Sequence, residues 1–216
     1  MKLCPTTLAI LKNFATINQG LIIHEGNILS TISKAKSVVG FAEVEENFPV
    51  DCQIYDVSKF LQVLSVFEEP EIDWQDAFCV IKSGRTKLKY GYGEGVEPEP
   101  PRKVKERAFD GTFSVTDEDL GKMLKMSKIL EGMDRIRFTL EGELGDITLQ
   151  SSKGPNRNEY GFEVACECDD AVDTMIQVDD LTVLPLSYTV DVSENVIRLT
   201  NEEYKLWYMI AASPED

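Results

Sequence analysis

His24 is the only imidazole in the chain, so any Ser-His-Asp or Cys-His site would have to be built on it. It sits in a strand-like run, and no Gly-x-Ser-x-Gly elbow accompanies it. Gly91-Tyr-Gly-Glu-Gly95 has the glycine density of a phosphate cradle. It lacks the Lys-Ser/Thr that such a loop needs, and prolines follow it rather than a helix, so it reads as a turn. Asp169-Asp170 and Asp179-Asp180 each offer two carboxylates of the kind that hold Mg²⁺ in a nuclease. Adjacent side chains seldom point the same way, and no third acid is fixed beside either pair, so solvated acids and a helix start explain them better. The cysteines are Cys4, Cys52, Cys79, Cys166 and Cys168, odd in number and without CxxC spacing. Cys166 and Cys168 flank Glu167 in a strand-like stretch and share one face, which reads as free thiols in a reducing compartment. The expectation is no catalytic constellation, no metal and no cofactor.

The lysines are more informative. Lys122, Lys125 and Lys128 lie three apart on one predicted helix, at roughly 300° per step, so they drift slowly around one side. Residues 109–216 hold 9 Lys and Arg against 23 Asp and Glu, a net of −14, while residues 1–108 are nearly balanced at −2. A third of the positive charge in the acidic half is therefore on one helical stripe. Lys12 and Asn13, and then Ser58, Lys59 and Gln62, make similar polar faces on two earlier predicted helices. An acidic protein with such local faces can meet a polyanion there and repel it elsewhere. No Arg or Asn pair is set for base readout and no aromatic stripe for stacking, so contact with nucleic acid would be sequence-independent. The bland alternative is an ordinary solvated helix face. Arg102, Lys103, Lys105 and Arg107 form a further basic cluster, either a solvated connector or an exposed strip for a partner peptide.

These residues need a scaffold. With 216 residues and a net charge of −16, two medium domains with real cores are expected. No apolar run reaches the roughly 20 residues of a membrane span, and the N-terminal residues lack the apolar core of a signal peptide, so the cytoplasm is expected. Gly93–Arg107 carries three prolines and dense charge and reads as an extended linker. It separates residues 1–108, linker included, from residues 109–216. The two halves have a common plan of short strand, helix, strands, short helix and strands. The first half has a helix over 5–16 with Leu8, Leu11, Phe14 and Ala15 on its apolar stripe, and a second over 56–65 with Val57, Phe60, Leu61 and Leu64. The second half has a helix capped by Thr116, with Leu120, Met123, Leu124 and Ile129 or Leu130 buried, and a weaker one over 178–184. Most other runs alternate as strands. The fold class is α+β, duplicated, with mostly antiparallel sheets.

Leu11-Lys-Asn-Phe-Ala-Thr-Ile-Asn18 followed by Gly20, and Ile54-Tyr55-Asp56 with Phe60-Leu61 and Leu64-Ser65, resemble the first two helices of the sliding clamps of T-even-type bacteriophages. The likeness in layout covers the chain, and at residue level it is strongest over the first ~65 residues. It implies two DNA-clamp domains per chain, assembled as a homotrimer with sheets outside and helices lining a bore. The ring would encircle double-stranded DNA and tether the replicative DNA polymerase without being an enzyme. An ATP-driven clamp loader would open and close it, late transcription would also use it, and it would work in the cytoplasm of the infected host. Carried over by position, Lys12, Lys59, Lys122, Lys125 and Lys128 face the bore. A partner-peptide pocket falls near Val38, Val39, Val104 and Pro185. Residues 178–184 depart from the pattern, with Asp179 and Asp180 and no lysine. The competing readings are an acidic interaction protein that mimics DNA, whose helix faces should be acidic, and a nuclease acting through Asp169, Asp179 or Asp180.

Overall fold

The structure, a computed structural model, describes residues 1–103, 107–151 and 158–213. The chain divides into two units, Met1–Val104 with Glu203–Leu206, and Lys105–Glu202 with Trp207–Asp216.

Unit 1 begins directly with helix α1, Pro5–Ile17. Pro5 is favoured at the first helical position because its missing N–H has no intrahelical partner anyway. The cap is Cys4, whose Sγ accepts from the Thr7 N–H at 3.4 Å. No strand precedes α1. Instead the Met1 amino group donates to the Ile72 carbonyl and the Ile72 N–H to the Met1 carbonyl. The face turned inward is Thr7, Ile10, Leu11, Phe14 and Ile17, one position around from the expected stripe, leaving Leu8 and Ala15 half-buried.

The helix ends at Asn18, a buried polar residue whose side chain is fully used. Its Nδ2 donates to the carbonyls of Ile32 at 3.0 Å and Glu97 at 3.2 Å, and its Oδ1 accepts from the Gly20 N–H at 3.1 Å. Asn18→Ala strands all three partners, so a loss of about 1–3 kcal/mol is expected in urea unfolding.

Antiparallel strands follow: β1 Leu21–Ile23, β2 Gly26–Ile32, β3 Val38–Phe48 and β4 Cys52–Ile54, ordered β3-β2-β1-β4. Helix α2, Val57–Ser65, is capped by Asp56, whose Oδ1 accepts from the Lys59 N–H at 2.9 Å. A second sheet has the order β5-β6-β7, from Glu71–Trp74, Phe78–Ser83 and Thr86–Gly91. Phe60 from α2 packs edge-on against Tyr90 at 5.1 Å, and Trp74 packs edge-on against Phe48 at 5.4 Å, which ties helix and both sheets into one core.

The segment expected to be an extended linker is partly packed. The Gly93 N–H donates to the Gln53 carbonyl at 2.9 Å, and Val96 is buried. A Cβ on Gly93 would meet the Tyr55 Cβ at 2.5 Å, so only glycine allows this approach.

Unit 2 repeats the plan. Strand β8, Gly111–Val115, leads to helix α3, Asp117–Ile129. Thr116 caps it by accepting from the Asp119 N–H at 3.1 Å. Three acids occupy its first turn and Lys128 its last, matching the helix dipole. Leu120 and Met123 are buried and Leu124 and Leu130 half-buried, whereas Ile129 is 59% exposed, so Leu130 and not Ile129 completes the inner face.

Strands β9 Met133–Glu141, β10 Leu144–Ser151, β11 Glu159–Cys168 and β12 Val172–Gln177 follow, then β13 Tyr188–Val192, β14 Val196–Asn201 and β15 Leu206–Ala211. Their order is β12-β9-β10-β11-β8-β13-β14-β15. Its first four strands correspond to β4-β1-β2-β3 of unit 1, and its last three to β5-β6-β7. Met1 bonds to Ile72 of β5, at the place where β8 pairs along β13 in unit 2.

The second helix of this unit is absent. Residues 178–184 form only a single 3-10 turn, Val178–Asp180. Both backbone groups of Leu184 are bound by tyrosines: its N–H donates to the Tyr208 hydroxyl at 3.4 Å, and its carbonyl accepts from the Tyr188 hydroxyl at 2.7 Å. The β-branched Thr182 and Val183, with Pro185 after them, also oppose helix.

Candidate nucleic-acid interface

Each candidate lysine is on the solvent side of its helix. On α1, Ala9, Lys12, Thr16 and the following Gln19 are exposed at helical spacing. Gln19 Nε2 donates to Asp56 Oδ2 at 3.0 Å, which links the end of α1 to the start of α2. On α2, Ser58, Lys59 and Gln62 are exposed. Lys59 Nζ is 3.3 Å from the same Asp56 carboxylate. The backbone hydrogen bond from Lys59, the one from Gln19, and the Lys59 ammonium together hold the Asp56 carboxyl below the usual range.

On α3, Lys122 pairs with Glu118 at 2.7 Å, one turn earlier, and the hydrogen bond from that pair raises the lysine pKa. Lys125 and Lys128 are exposed and have no ion-pair partner among the described residues. Such surface pairs hold little energy, so these side chains are available to phosphates. The acids of α3 are confined to its first turn, and beyond it the exposed face is basic and polar.

The pocket candidates differ in character. Val38 is buried at 2%, Val39 is half-buried beside Ile32 in the sheet, and Pro185 is exposed. Val104 lies outside the described residues. A cleft of about 520 Å³ in unit 1 is lined elsewhere, by Lys34, Lys36, Tyr55, Val96 and Pro98 among others. Tyr55 is 61% exposed at this cleft.

The side chains that could have done chemistry are otherwise engaged. His24 Nδ1 lies 3.1 Å from Asp51, which also accepts from the Glu25 N–H at 2.7 Å. Burial pushes the Cys52 thiol up to about 12 and the Cys79 thiol to about 11, far from a thiolate at neutral pH. Asp169, Asp170 and Asp179 are exposed. Among the described residues no group of three or more His, Cys, Asp or Glu is set to hold a metal.

One basic surface was missed from the sequence: Lys82, Arg85, Lys87 and Lys89 on the β6–β7 hairpin, all exposed. Its signal was there, three lysines and an arginine at every second or third position across a turn.

Comparison with known proteins agrees with this layout. Residues 3–92 match the family described as DNA polymerase processivity factor. The sliding clamp of Vibrio phage KVP40 is 34% identical over 169 residues, covering 76% of this chain and 76% of that protein. The sliding clamp of Enterobacteria phage T4 is 30% identical over 148 residues, covering 67% and 64%. In three dimensions the chain resembles the proliferating cellular nuclear antigen of Entamoeba histolytica, with a TM-score of 0.70 at 11% identity over 96% of this chain and 94% of that one. It also resembles the Helicobacter pylori beta clamp solved with a DNA ligase peptide, with a TM-score of 0.71 at 12% identity over 99% and 65%. The fold is thus the DNA-clamp fold. The chain belongs to the sliding clamps of T-even-type phages, the family of DNA polymerase processivity factors.

Proposed function

We propose that this chain assembles as a homotrimeric ring around double-stranded DNA and tethers the replicative polymerase to it. The observation that carries the reading is its 34% identity to a phage sliding clamp over 76% of both chains. Lys12, Lys59, Lys122, Lys125 and Lys128 would face the duplex and meet its phosphates without reading bases. Weak contacts suffice, because a closed ring cannot leave sideways and the tether keeps the polymerase at high effective concentration. The protein then raises processivity without catalysing a reaction and needs no cofactor. Each chain carries −16. With a Debye length of about 8 Å at physiological ionic strength, acids on an outer wall would be largely screened from the bore. Lysine on the exposed helix faces, where a DNA mimic would carry acid, supports a clamp over that alternative.

An ATP-driven loader, a role in late transcription, partner peptides docking outside the bore and residence in the cytoplasm of an infected host complete the proposal. The test is topological. Loaded onto nicked circular DNA, the protein should co-elute with the plasmid, and a restriction cut should release most of it. Equal retention on circular and linear DNA would mean ordinary binding and end the proposal.

A further inference from the structure

Asp56 is an acid that the two lysine-bearing helices of unit 1 hold between them. Neither α1 nor α2 contains an Asp or Glu of its own. The Asp56 side chain is only 14% exposed, and both of its oxygens are engaged. Oδ1 accepts from the Lys59 N–H at 2.9 Å. Oδ2 accepts from Gln19 Nε2 at 3.0 Å, with Lys59 Nζ beside it at 3.3 Å.

The junction does not need that charge to stand. The Val57 N–H donates to the Gln19 carbonyl at 2.9 Å, which joins the end of α1 to the first residue of α2 through the backbone. Capping needs an oxygen acceptor, and asparagine supplies one as well as aspartate does. A carboxylate adds attraction for the positive end of the helix and, in the same place, a negative charge beside Lys59. The hydrogen bonds from the Lys59 backbone and from Gln19 hold its carboxyl below the usual range, so it is ionised at neutral pH.

Lys59 differs in this from the other candidate lysines. Lys122 pairs with Glu118 at 2.7 Å, but Glu118 is 73% exposed and its side chain is free to swing away. Lys12, Lys125 and Lys128 have no ion-pair partner among the described residues. Asp56 is fixed by the cap and by Gln19, so the exposed Lys59 ammonium works next to a stationary acid.

We infer that Asp56 is a positioning residue that offsets Lys59 and keeps the contact of α2 with duplex phosphates weak. The inference rests on the DNA-facing reading of α2 under the proposed function. A phosphate that approaches Lys59 meets an ammonium already balanced by a fixed carboxylate, so little is gained from counterion release there. Loose contact lets a ring move along the duplex, while closure keeps it from leaving.

The test is a double-mutant cycle on the full chain, read as affinity for a short fluorescent linear duplex over a salt series. Urea unfolding shows whether each variant keeps its fold. Asp56→Asn retains an acceptor for the cap, so its unfolding midpoint should stay close to wild type. It should bind duplex about threefold more tightly at low salt, with a log–log salt slope steeper by about 0.9 for each phosphate newly neutralised. Lys59→Met should bind more weakly than wild type, and adding Asp56→Asn to it should change affinity little. A cap that is merely structural leaves the salt slope unmoved. Asp56→Asn binding like wild type while Lys59→Met binds more weakly would therefore overturn the inference and leave α2 facing DNA. An equal gain from Asp56→Asn with and without Lys59 would also overturn it, because the acid would then act on phosphates directly. If Lys59→Met binds as well as wild type, α2 does not face the duplex, and the inference falls together with that part of the proposed function.

Discussion

Lys122→Glu combined with Lys125→Glu is expected to leave the fold intact and to cut processive synthesis sharply. Both side chains are exposed and bury nothing, and the α3 cap at Thr116 and its inner residues Leu120 and Met123 are untouched. Lys122→Glu also sets two acids, Glu118 and the new one, a turn apart, which costs a helix only about 0.2–0.5 kcal/mol. The functional effect is larger. Every phosphate that goes unneutralised lowers the salt slope of binding by about 1, and reversal adds repulsion. Product length on a primed circular template should fall at physiological salt and recover partly at low salt. Normal processivity in the double variant would remove α3 from the DNA-facing surface.

Phe60→Ala should be the most destabilising single change in unit 1. The ring is fully buried, packs edge-on against Tyr90 at 5.1 Å and lies 6.0 Å from Trp74. Its removal leaves a cavity between α2 and the second sheet that aromatic neighbours cannot close. A loss of about 3–5 kcal/mol is expected in urea unfolding followed by tryptophan fluorescence. A loss below about 1 kcal/mol would mean that the core around Trp74 collapses onto the space.

Three helices were legible because their apolar spacing is local. Phe14, Phe60 and Met123 lie at positions that a 3.6-residue period predicts, and Thr116 marks its helix end by chemistry alone. The exposure of Lys12, Lys59, Lys122, Lys125 and Lys128 followed from the same periods. Short strands escaped. β5 has only the four residues Glu71–Trp74, at the lower limit of a readable alternation, and β12, Val172–Gln177, does not alternate, so neither stands out by pattern. The helix expected over 178–184 failed where Tyr188, four residues on, and Tyr208, on a later strand, take the backbone groups of Leu184. The apolar content of Val38 was evident, but that it turns into the core of unit 1 was not.

The class of fold, the polar faces of the helices and the family can all be read along the chain, since near-neighbour spacing and strings such as Leu11–Asn18 carry them. Strand order, and with it which edges stay open, is settled only in three dimensions. The pairing of β8 with β11 and with β13 closes hydrogen bonds over many intervening residues, and nothing in Thr112 or Phe113 taken singly records which strands will flank it.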